Sequence, residues 1–354
     1  MSKRELVHTD ATFSNVSGFS LGPAGRQMAA WVNGAGQTVT LESSDATGWD
    51  ASTSLVGSAP GAMLGLAYDA QGNAFAAFAK AWTAVTYSVA VKAPGMPWGA
   101  PVDLGTVPDV ANPVRLLVAP TGYAALVWQQ TYTGSEGLWA RVYTPGSGWG
   151  AAQLLTASGT LSAVELRGCV GTDGSIYAGV VYADYTTYTN ELRVVRYQPA
   201  TGWTSPTAPA ATGTSFSDLL MVGLPGGKLL TLWASPQPGL TGAELSGGAW
   251  TTPSSYLSVR TLVCNDPHVA VSSNGTLLFA WRSSISGTSE ENVYAALREG
   301  GVTSNEVPLG PAHQRDALIT GLGFDADGLA TVVGFSDHWD NGALVGHPWI
   351  SNYH

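Results

Sequence analysis

The sequence is poor in charge and has no basic cluster. Of its 354 residues, 11% are Asp, Glu, Lys or Arg, the formal net charge is −10, and no basic run occurs beyond Lys3-Arg4. Proteins that bind nucleic acid neutralise phosphates with clustered Lys and Arg. The acidic composition therefore argues against a phosphate-binding surface, and we expect no nucleic-acid partner.

Long apolar runs and a disulfide framework are lacking as well. No stretch approaches the roughly 20 apolar residues of a membrane-spanning helix, and no apolar run follows Lys3-Arg4, so we expect no membrane insertion and no signal peptide. Such a protein would be made in the cytoplasm and would act outside the cell after lysis or dedicated export, or on a particle. Cys169 and Cys264 fit no zinc pattern and are predicted to be free, mostly buried thiols.

Short alternating runs bounded by Gly and Pro turns are abundant. In residues 112–157 they predict four antiparallel strands, Val114–Ala119, Tyr123–Gln129, Gly137–Tyr143 and Ala151–Thr156. One small sheet has two apolar faces and cannot bury both by itself. Further copies of the unit elsewhere in the chain would solve this problem.

The unit recurs along the whole chain. The glycine that closes its first hairpin returns at intervals of 47 to 53 residues, as Gly25, Gly72, Gly122, Gly174, Gly227, Gly275 and Gly328. A period of about 50 residues with four strands per unit is typical of a β-propeller. We therefore predict one all-β domain, a seven-bladed β-propeller with four antiparallel strands per blade. The predicted blades are 11–58, 59–107, 108–157, 158–211, 212–258, 259–310, and 311–354 completed by the N-terminal strand in 1–10.

Tryptophan repeats with the same period. A Gly/Trp hairpin precedes the predicted fourth strand in five units but is absent from units 6 and 7. Its tryptophans are Trp49, Trp98, Trp149, Trp203 and Trp250. We interpret them as wedges that pack blades together, with repeated sugar pockets between blades as the alternative.

Two short motifs in the sequence match functional patterns in part. Gly18-Phe19-Ser20-Leu21-Gly22 fits the G-x-S-x-G pattern of serine hydrolases but lies in a predicted strand with no helix following. The run from Ser43 to Trp49 lies in the turn that carries the Asp-box of sialidases, with its Gly and Thr displaced. By its period and Trp pattern, the whole chain resembles the broad group of bacterial and phage propellers that includes sialidase-like domains and seven-bladed lectins. The resemblance implies the fold and transfers no functional residue.

Aromatic and acidic residues cluster in predicted loops on one propeller face, at the turns from strand two to strand three. An aromatic ring beside Asp or Tyr suits a sugar, because the ring stacks on C–H groups while the polar atoms bind hydroxyls. The candidate ligand-binding residues of this loop face are Trp82, Tyr132, Tyr185, Tyr188, Asp337, His338, Trp339 and Asp340.

A second candidate group lies in the predicted first strands, which line the channel of a propeller. Positions seven and nine before the hairpin glycine are polar in units 3 to 6, and period-two alternation places them on the same side. The residues of this channel-mouth group are Arg115, Arg167, Glu165, Asp218, Asp266 and His268. They could form interblade ion pairs such as Arg167 with Asp218, hold a polar or anionic ligand, or act in acid–base catalysis.

No cofactor is required by any motif. A weaker hypothesis is a calcium ion near the loops that enter the first strands. Its candidate ligands are Asp10, Asp109, Asp218, Asp266 and Asp316, with Asn15, Asn112 or Asn265.

The leading functional hypothesis is a non-enzymatic, lectin-like propeller whose partner is a glycan or a glycan-bearing surface. One alternative is a structural or receptor-binding component of a phage or phage-like particle, with the other subunits as partners. A second is a sialidase-like glycoside hydrolase that uses the channel-mouth group.

Overall fold

The computed structural model describes residues 14–23, 26–32, 38–44, 48–49, 53–54, 63–79, 85–107, 113–130, 136–159, 161–207, 216–234, 239–259, 264–284, 291–314, 316–324, 328–340 and 343–353. These residues form antiparallel strands and turns and contain no α-helix, and hence no helix of membrane-spanning length and hydropathy. The chain divides into two compact units, Asp10–Ala208 and Met1–Thr9 with Pro209–His354.

The described residues of the unit Asp10–Ala208 form four sheets, numbered here in chain order. Sheet 1 has β1 Ser14–Leu21, β2 Gln27–Val32, β3 Thr38–Ser44, β4 Gly48–Trp49 and β5 Thr53–Ser54. Sheet 2 has β6 Met63–Tyr68, β7 Ala74–Ala79, β8 Val85–Lys92 and β9 Val102–Val107. Sheet 3 has β10 Val114–Val118, β11 Ala124–Gln130, β12 Gly137–Thr144, β13 Gly148–Trp149 and β14 Gln153–Ala157. Sheet 4 has β15 Ser162–Val170, β16 Ile176–Asp184, β17 Thr189–Gln198 and β18 Gly202–Trp203.

The other unit contains three sheets within its described residues. Sheet 5 has β19 Leu220–Leu224, β20 Lys228–Ala234, β21 Gly239–Ser246, β22 Ala249–Trp250 and β23 Ser254–Ser258. Sheet 6 has β24 Asn265–Val271, β25 Leu277–Ser284, β26 Glu291–Glu299, β27 Val302–Thr303 and β28 Val307–Gln314. Sheet 7 has β29 Asp316–Phe324, β30 Ala330–Asp340 and β31 Ala343–Tyr353. Residues 1–10, predicted to complete this last sheet, lie outside the described part of the chain.

The hairpin glycines explain why each first strand turns back into a second. Every described member of the column has a left-handed backbone, with φ between +71° at Gly227 and +90° at Gly275. A side chain at these φ values is strained, so glycine is the residue that closes the turn without cost. The period read from the sequence is therefore a period of turn geometry.

In sheets 2 to 6 the second strand is mostly buried, and within each unit neighbouring sheets share apolar cores. In sheet 3, Leu126 and Val127 on β11 are fully buried and belong to two different cores, one shared with sheet 2 and one with sheet 4. The same arrangement joins sheets 5 and 6 around Trp281. Within each unit, the first strands of successive sheets contact one another: β1, β6, β10 and β15 in one unit, and β19, β24 and β29 in the other.

Bulges in the first strands break the alternation assumed from the sequence. In sheets 1, 2 and 7 the register shifts between positions nine and seven before the hairpin glycine, for example between Met63 and Gly65. In sheet 6 the shift lies between Asn265 and His268. An extra residue reverses which side the following side chains face. The prediction that both columns share one side is therefore wrong in sheets 1, 2 and 7, whereas in sheet 6 the Asp266 and His268 side chains still approach to 3.4 Å.

Candidate functional site

Two arginines stand at equivalent positions on neighbouring first strands of the larger unit. Arg115 on β10 and Arg167 on β15 each lie seven residues before a hairpin glycine, and β10 contacts β15. Sheet 4 has its bulge two residues earlier, between Ala163 and Glu165, so Glu165 and Arg167 keep the same side. The Glu165 carboxylate lies 2.8 Å from the Arg167 guanidinium. The structure therefore brings together three charged residues of the channel-mouth group, Arg115, Arg167 and Glu165.

Arg115 differs from its neighbour because no carboxylate pairs with it within the described residues. Its Nη1 donates to the carbonyl of Val114 at 2.9 Å, and the side chain is half-buried. Burial lowers the pKa of the Arg115 guanidinium below its ordinary value, the positive charge of Arg167 lowers it further, and Glu165 only partly opposes the two. The guanidinium remains charged, because arginine is not deprotonated in proteins. A second anion near Arg115 would therefore be stabilised.

A rigid hairpin displays two tyrosines at the end of sheet 4 where β15 begins. The Asp184 carboxylate accepts hydrogen bonds from the backbone N–H groups of Thr186 (2.8 Å) and Thr187 (3.3 Å), and these bonds hold its pKa below the usual range. Tyr185 and Tyr188 are 66% and 89% exposed, and Tyr188 has a left-handed φ of 56°. Two large rings without burial, on a backbone held by side-chain hydrogen bonds, form a ready stacking surface.

A charged network supports this hairpin from below. Arg193 on β17 binds both oxygens of Glu191, at 2.8 and 3.1 Å, and donates to the carbonyl of Ala157 at 2.7 Å on the outer strand of sheet 3. Its guanidinium lies 4.8 Å from the ring centroid of buried Tyr182. Bidentate and cation–π contacts fix a planar guanidinium in place. Sheets 3 and 4 are thus tied together next to the exposed tyrosines.

The remaining channel-mouth residues lie in the other unit. His268 Nε2 is 3.4 Å from Asp266 Oδ1, and Arg282 bridges Asp266 Oδ2 at 3.5 Å and Glu291 Oε2 at 3.0 Å. Asp218 and Asp266, equivalent positions of sheets 5 and 6, both have left-handed φ values, 53° and 46°. Two carboxylates around Arg282 pair these charges within sheet 6, whereas the ion pairs expected from the sequence join neighbouring blades.

Arg282 and Glu291 are not among the residues predicted from the sequence, because they lie on the second and third strands and the predicted group lies in the first strands. A signal was present. Arg282 lies seven residues after its hairpin glycine, and the equivalent residue of sheet 3 is Gln129. The Gln129 side chain donates a hydrogen bond of 2.6 Å to the carbonyl of Ala163 on sheet 4. Polar residues at this position of the second strand mark contacts with a neighbouring strand.

The other loop-face candidates are placed only in part. Trp82 and Tyr132 lie outside the described residues. The sequence predicted a loop at Asp337, His338, Trp339 and Asp340. In the structure these residues instead form the end of β30, which pairs with β31 up to Asp340 opposite Ala343. The long strand pairing replaces the predicted loop because the backbone hydrogen bonds continue to the tip of the hairpin.

Three of the repeated tryptophans, Trp98, Trp149 and Trp203, serve packing, as interpreted from the sequence. Trp149 packs on Tyr143 and Trp203 on Tyr197, with ring centroids 5.5 and 5.3 Å apart. Trp98 is 7% exposed, and its indole N–H donates to Thr40 on sheet 1 at 2.9 Å.

In the part of the chain that the structure describes, no three His, Cys, Asp or Glu side chains group as metal ligands. The calcium candidates Asp10, Asp109 and Asn112 lie outside that part. Cys169 and Cys264 form no disulfide, as predicted. Burial raises the pKa of both thiols, to about 12 for Cys264, where the charges of Asp218 and Glu306 add to it.

Known proteins resemble this chain in fold and not in sequence. No protein-family model and no curated protein matches it. The polysaccharide lyase Uly1 superposes with a TM-score of 0.60 at 8% identity, covering 98% of this chain and 92% of its own. A fungal alcohol oxidase of the AA5 family, solved with copper, gives 0.56 at 13% identity, covering 96% and 75%. A Hadza microbial sialidase gives 0.50 at 15% identity and covers 78% of this chain, which spans 63% of that sialidase.

These likenesses show an all-β, propeller-like fold of antiparallel sheets. Identities of 8 to 15% carry no residue role from one protein to another. The chemistry of the site must therefore be argued from the side chains of this chain.

Proposed function

We propose that the seven sheets are the blades of a closed seven-bladed propeller, completed by the N-terminal strand, which binds an anionic glycan without cleaving it. The observation that carries the proposal is Arg115, a half-buried guanidinium that no carboxylate neutralises within the described residues. A charge removed from water is costly unless it is paired. A carboxylate or sulfate group on a sugar would supply the missing partner.

The arginine pair favours an anion over a neutral sugar. Arg115 and Arg167 together carry two positive charges, and Glu165 supplies one negative charge. The positive charge of Arg167 lowers the pKa of Arg115, so the two charges lie within electrostatic reach. A guanidinium fork binds a carboxylate or sulfate through two parallel hydrogen bonds, a geometry that a sugar hydroxyl does not offer.

The exposed tyrosines extend the same surface. Tyr185 and Tyr188 lie at the end of sheet 4 where β15 begins, and Glu165 and Arg167 follow within its first six residues. A polysaccharide bound by the arginines through one acidic sugar could therefore stack further rings on the tyrosines. Among proteins of similar fold, a polysaccharide lyase and a sialidase act on carbohydrate by name, which agrees with a glycan ligand.

The test is a binding measurement on charged and neutral polysaccharides of similar length. Immobilised polygalacturonate, dextran sulfate and dextran present carboxylate, sulfate and neither. We expect binding to at least one acidic polymer, no binding to dextran, and an affinity that falls as salt is added. Arg115→Gln should weaken the acidic interaction by about tenfold or more, the usual loss for one charge-assisted hydrogen bond.

Arg196→Gln is the matched control. Arg196 lies on sheet 4, at the opposite end from the tyrosine hairpin, and forms a 2.6 Å ion pair with Asp173. The Arg196→Gln variant should therefore leave binding unchanged. Equal binding to dextran, or full affinity in Arg115→Gln, would refute the proposal. New reducing ends or unsaturated sugar ends released from the bound polymer would show an enzyme. A folded protein that binds none of the polymers would favour the particle component.

A further inference from the structure

Sheet 6 contains a hairpin that the sequence did not reveal, because it lacks tryptophan. The two-residue strand β27, Val302–Thr303, pairs with the end of β26, with Arg298 opposite Thr303. In sheets 3 and 4 the same register sets Tyr143 opposite Trp149 and Tyr197 opposite Trp203. Thr303 therefore occupies the place of a tryptophan, and Arg298 that of the tyrosine beneath it.

Where the indole is missing, a groove opens. In sheets 3 and 4 the Tyr/Trp pair packs against the core shared with the preceding sheet. In sheet 6 the corresponding space, between β23 of sheet 5 and the end of β26, is a cavity of about 290 Å³. Residues lining it include Ser255, Tyr256, Arg298, Thr303, Asn305 and Glu306. This volume lies at the small end of the roughly 300–1,000 Å³ found for ligand pockets.

The wall of the groove is held in place by its own contacts. The Arg298 guanidinium lies 4.9 Å from the ring centroid of Tyr256, and its Nη1 donates to the Tyr256 carbonyl at 3.1 Å and to Thr303 Oγ1 at 3.2 Å. The Tyr256 hydroxyl donates to Glu244 at 2.8 Å, and burial together with this carboxylate raises its pKa. The groove therefore keeps its shape when it is empty, which lowers the entropy cost of binding.

We propose that this groove is a second ligand site and that it takes one neutral sugar ring. Its lining combines hydroxyl, amide, guanidinium and carboxylate groups, so it can both donate and accept hydrogen bonds. Arg298 and Glu306 carry opposite charges, which removes the preference for an anion that marks Arg115. A small, polar, preformed groove with balanced charge matches the several hydroxyls of a sugar ring and excludes an apolar ligand.

The decisive variant fills the groove with a tryptophan side chain, the residue at the equivalent position of sheets 3 and 4. Thr303→Trp restores the residue found at this register in sheets 3 and 4 and should fold with an unchanged or higher melting temperature. Thr303→Ser keeps the hydroxyl and the open space and serves as the matched control. If Thr303→Trp does not fold, Asn305→Trp closes the exposed rim of the groove instead.

Saturation-transfer NMR would be recorded with galactose, mannose, fucose and N-acetylglucosamine, each alone. We expect transfer to at least one of these sugars in the wild type and Thr303→Ser, and its loss in the folded tryptophan variant. Absence of transfer to all four, or transfer that survives a filled groove, would overturn the proposal. Arg115→Gln should keep the signal, so failure of the acidic-glycan site and failure of this groove are told apart.

Discussion

Replacing Arg115 with methionine should stabilise the protein while it removes acidic-glycan binding. The strand around Arg115 is apolar, with Val114 3% and Leu117 7% exposed, so an unbranched apolar side chain fits the site. Exchanging buried ionic groups for apolar ones of similar size is often stabilising by about 1–4 kcal/mol. Loss of the hydrogen bond from Arg115 to the Val114 carbonyl reduces this stabilisation by about 0.5–1.5 kcal/mol. A net gain of about 1–2 kcal/mol is expected.

The assay is urea unfolding and thermal melting of wild type and Arg115→Met. For domains of about 150–250 residues, 1 kcal/mol corresponds to about 2–4 °C, so the melting temperature should rise by a few degrees. The gain should shrink in about 1 M salt, where the Debye length falls to ~3 Å and the repulsion from Arg167 is screened. Salt dependence separates this electrostatic origin from a simple improvement in packing.

Arg196→Met is the control, because Arg196 has a carboxylate partner. Losing its 2.6 Å contact with partly exposed Asp173 should destabilise the protein by about 0.5–1 kcal/mol. If Arg115→Met is destabilising to the same extent, Arg115 has a structural partner, and the reasoning that assigns it to a ligand is wrong. A stabilised variant that still binds acidic polymers would place their site elsewhere.

Other perturbations test the fold. Burial raises the pKa of Glu42, but hydrogen bonds from Lys92 and Tyr68 outweigh burial and lower the pKa below 4.5. The stabilisation that Glu42 gives the folded protein is therefore complete above about pH 4.5 and is lost on acidification. Glu42→Gln should flatten the acid side of a plot of stability against pH. The pKa of Cys264 is about 12, so this thiol should react with iodoacetamide far more slowly in the native protein than in urea. Mass spectrometry measures the rate of alkylation. Gly122→Ala, at φ +85°, should cost about 1–2 kcal/mol in urea unfolding, with Gly150→Ala nearly neutral. Trp281→Ala should cost about 3–5 kcal/mol by the same measurement.

The repeat could be predicted because turn geometry is a local property. A left-handed turn requires glycine whatever surrounds it, so Gly72, Gly122 and the later members of the column mark the hairpins at sequence level. The predicted strands of residues 112–157 differ from β10, β11, β12 and β14 by at most two residues at each end. The closed ring and the role of residues 1–10 remain predictions.

The candidate site was predictable only where alternation holds. Glu165 and Arg167 share a side in sheet 4 because the bulge there precedes both residues. In sheets 1, 2, 6 and 7 a bulge falls where the two columns were compared, and composition gives no warning of it. A bulge is set by the fit of one strand to its partner, which a single strand's sequence does not contain.

The sequence alone determined the all-β class, the period and the packing role of the hairpin tryptophans, since each follows from residue type at a regular spacing. Only the tertiary structure decided that, among the described residues, Arg167 has a carboxylate partner and Arg115 has none, that Arg282 joins Asp266 to Glu291, and that Thr303 leaves a groove. These features depend on distances between side chains on different strands. Spacing along one chain cannot specify such distances, because strand register and bulges set them.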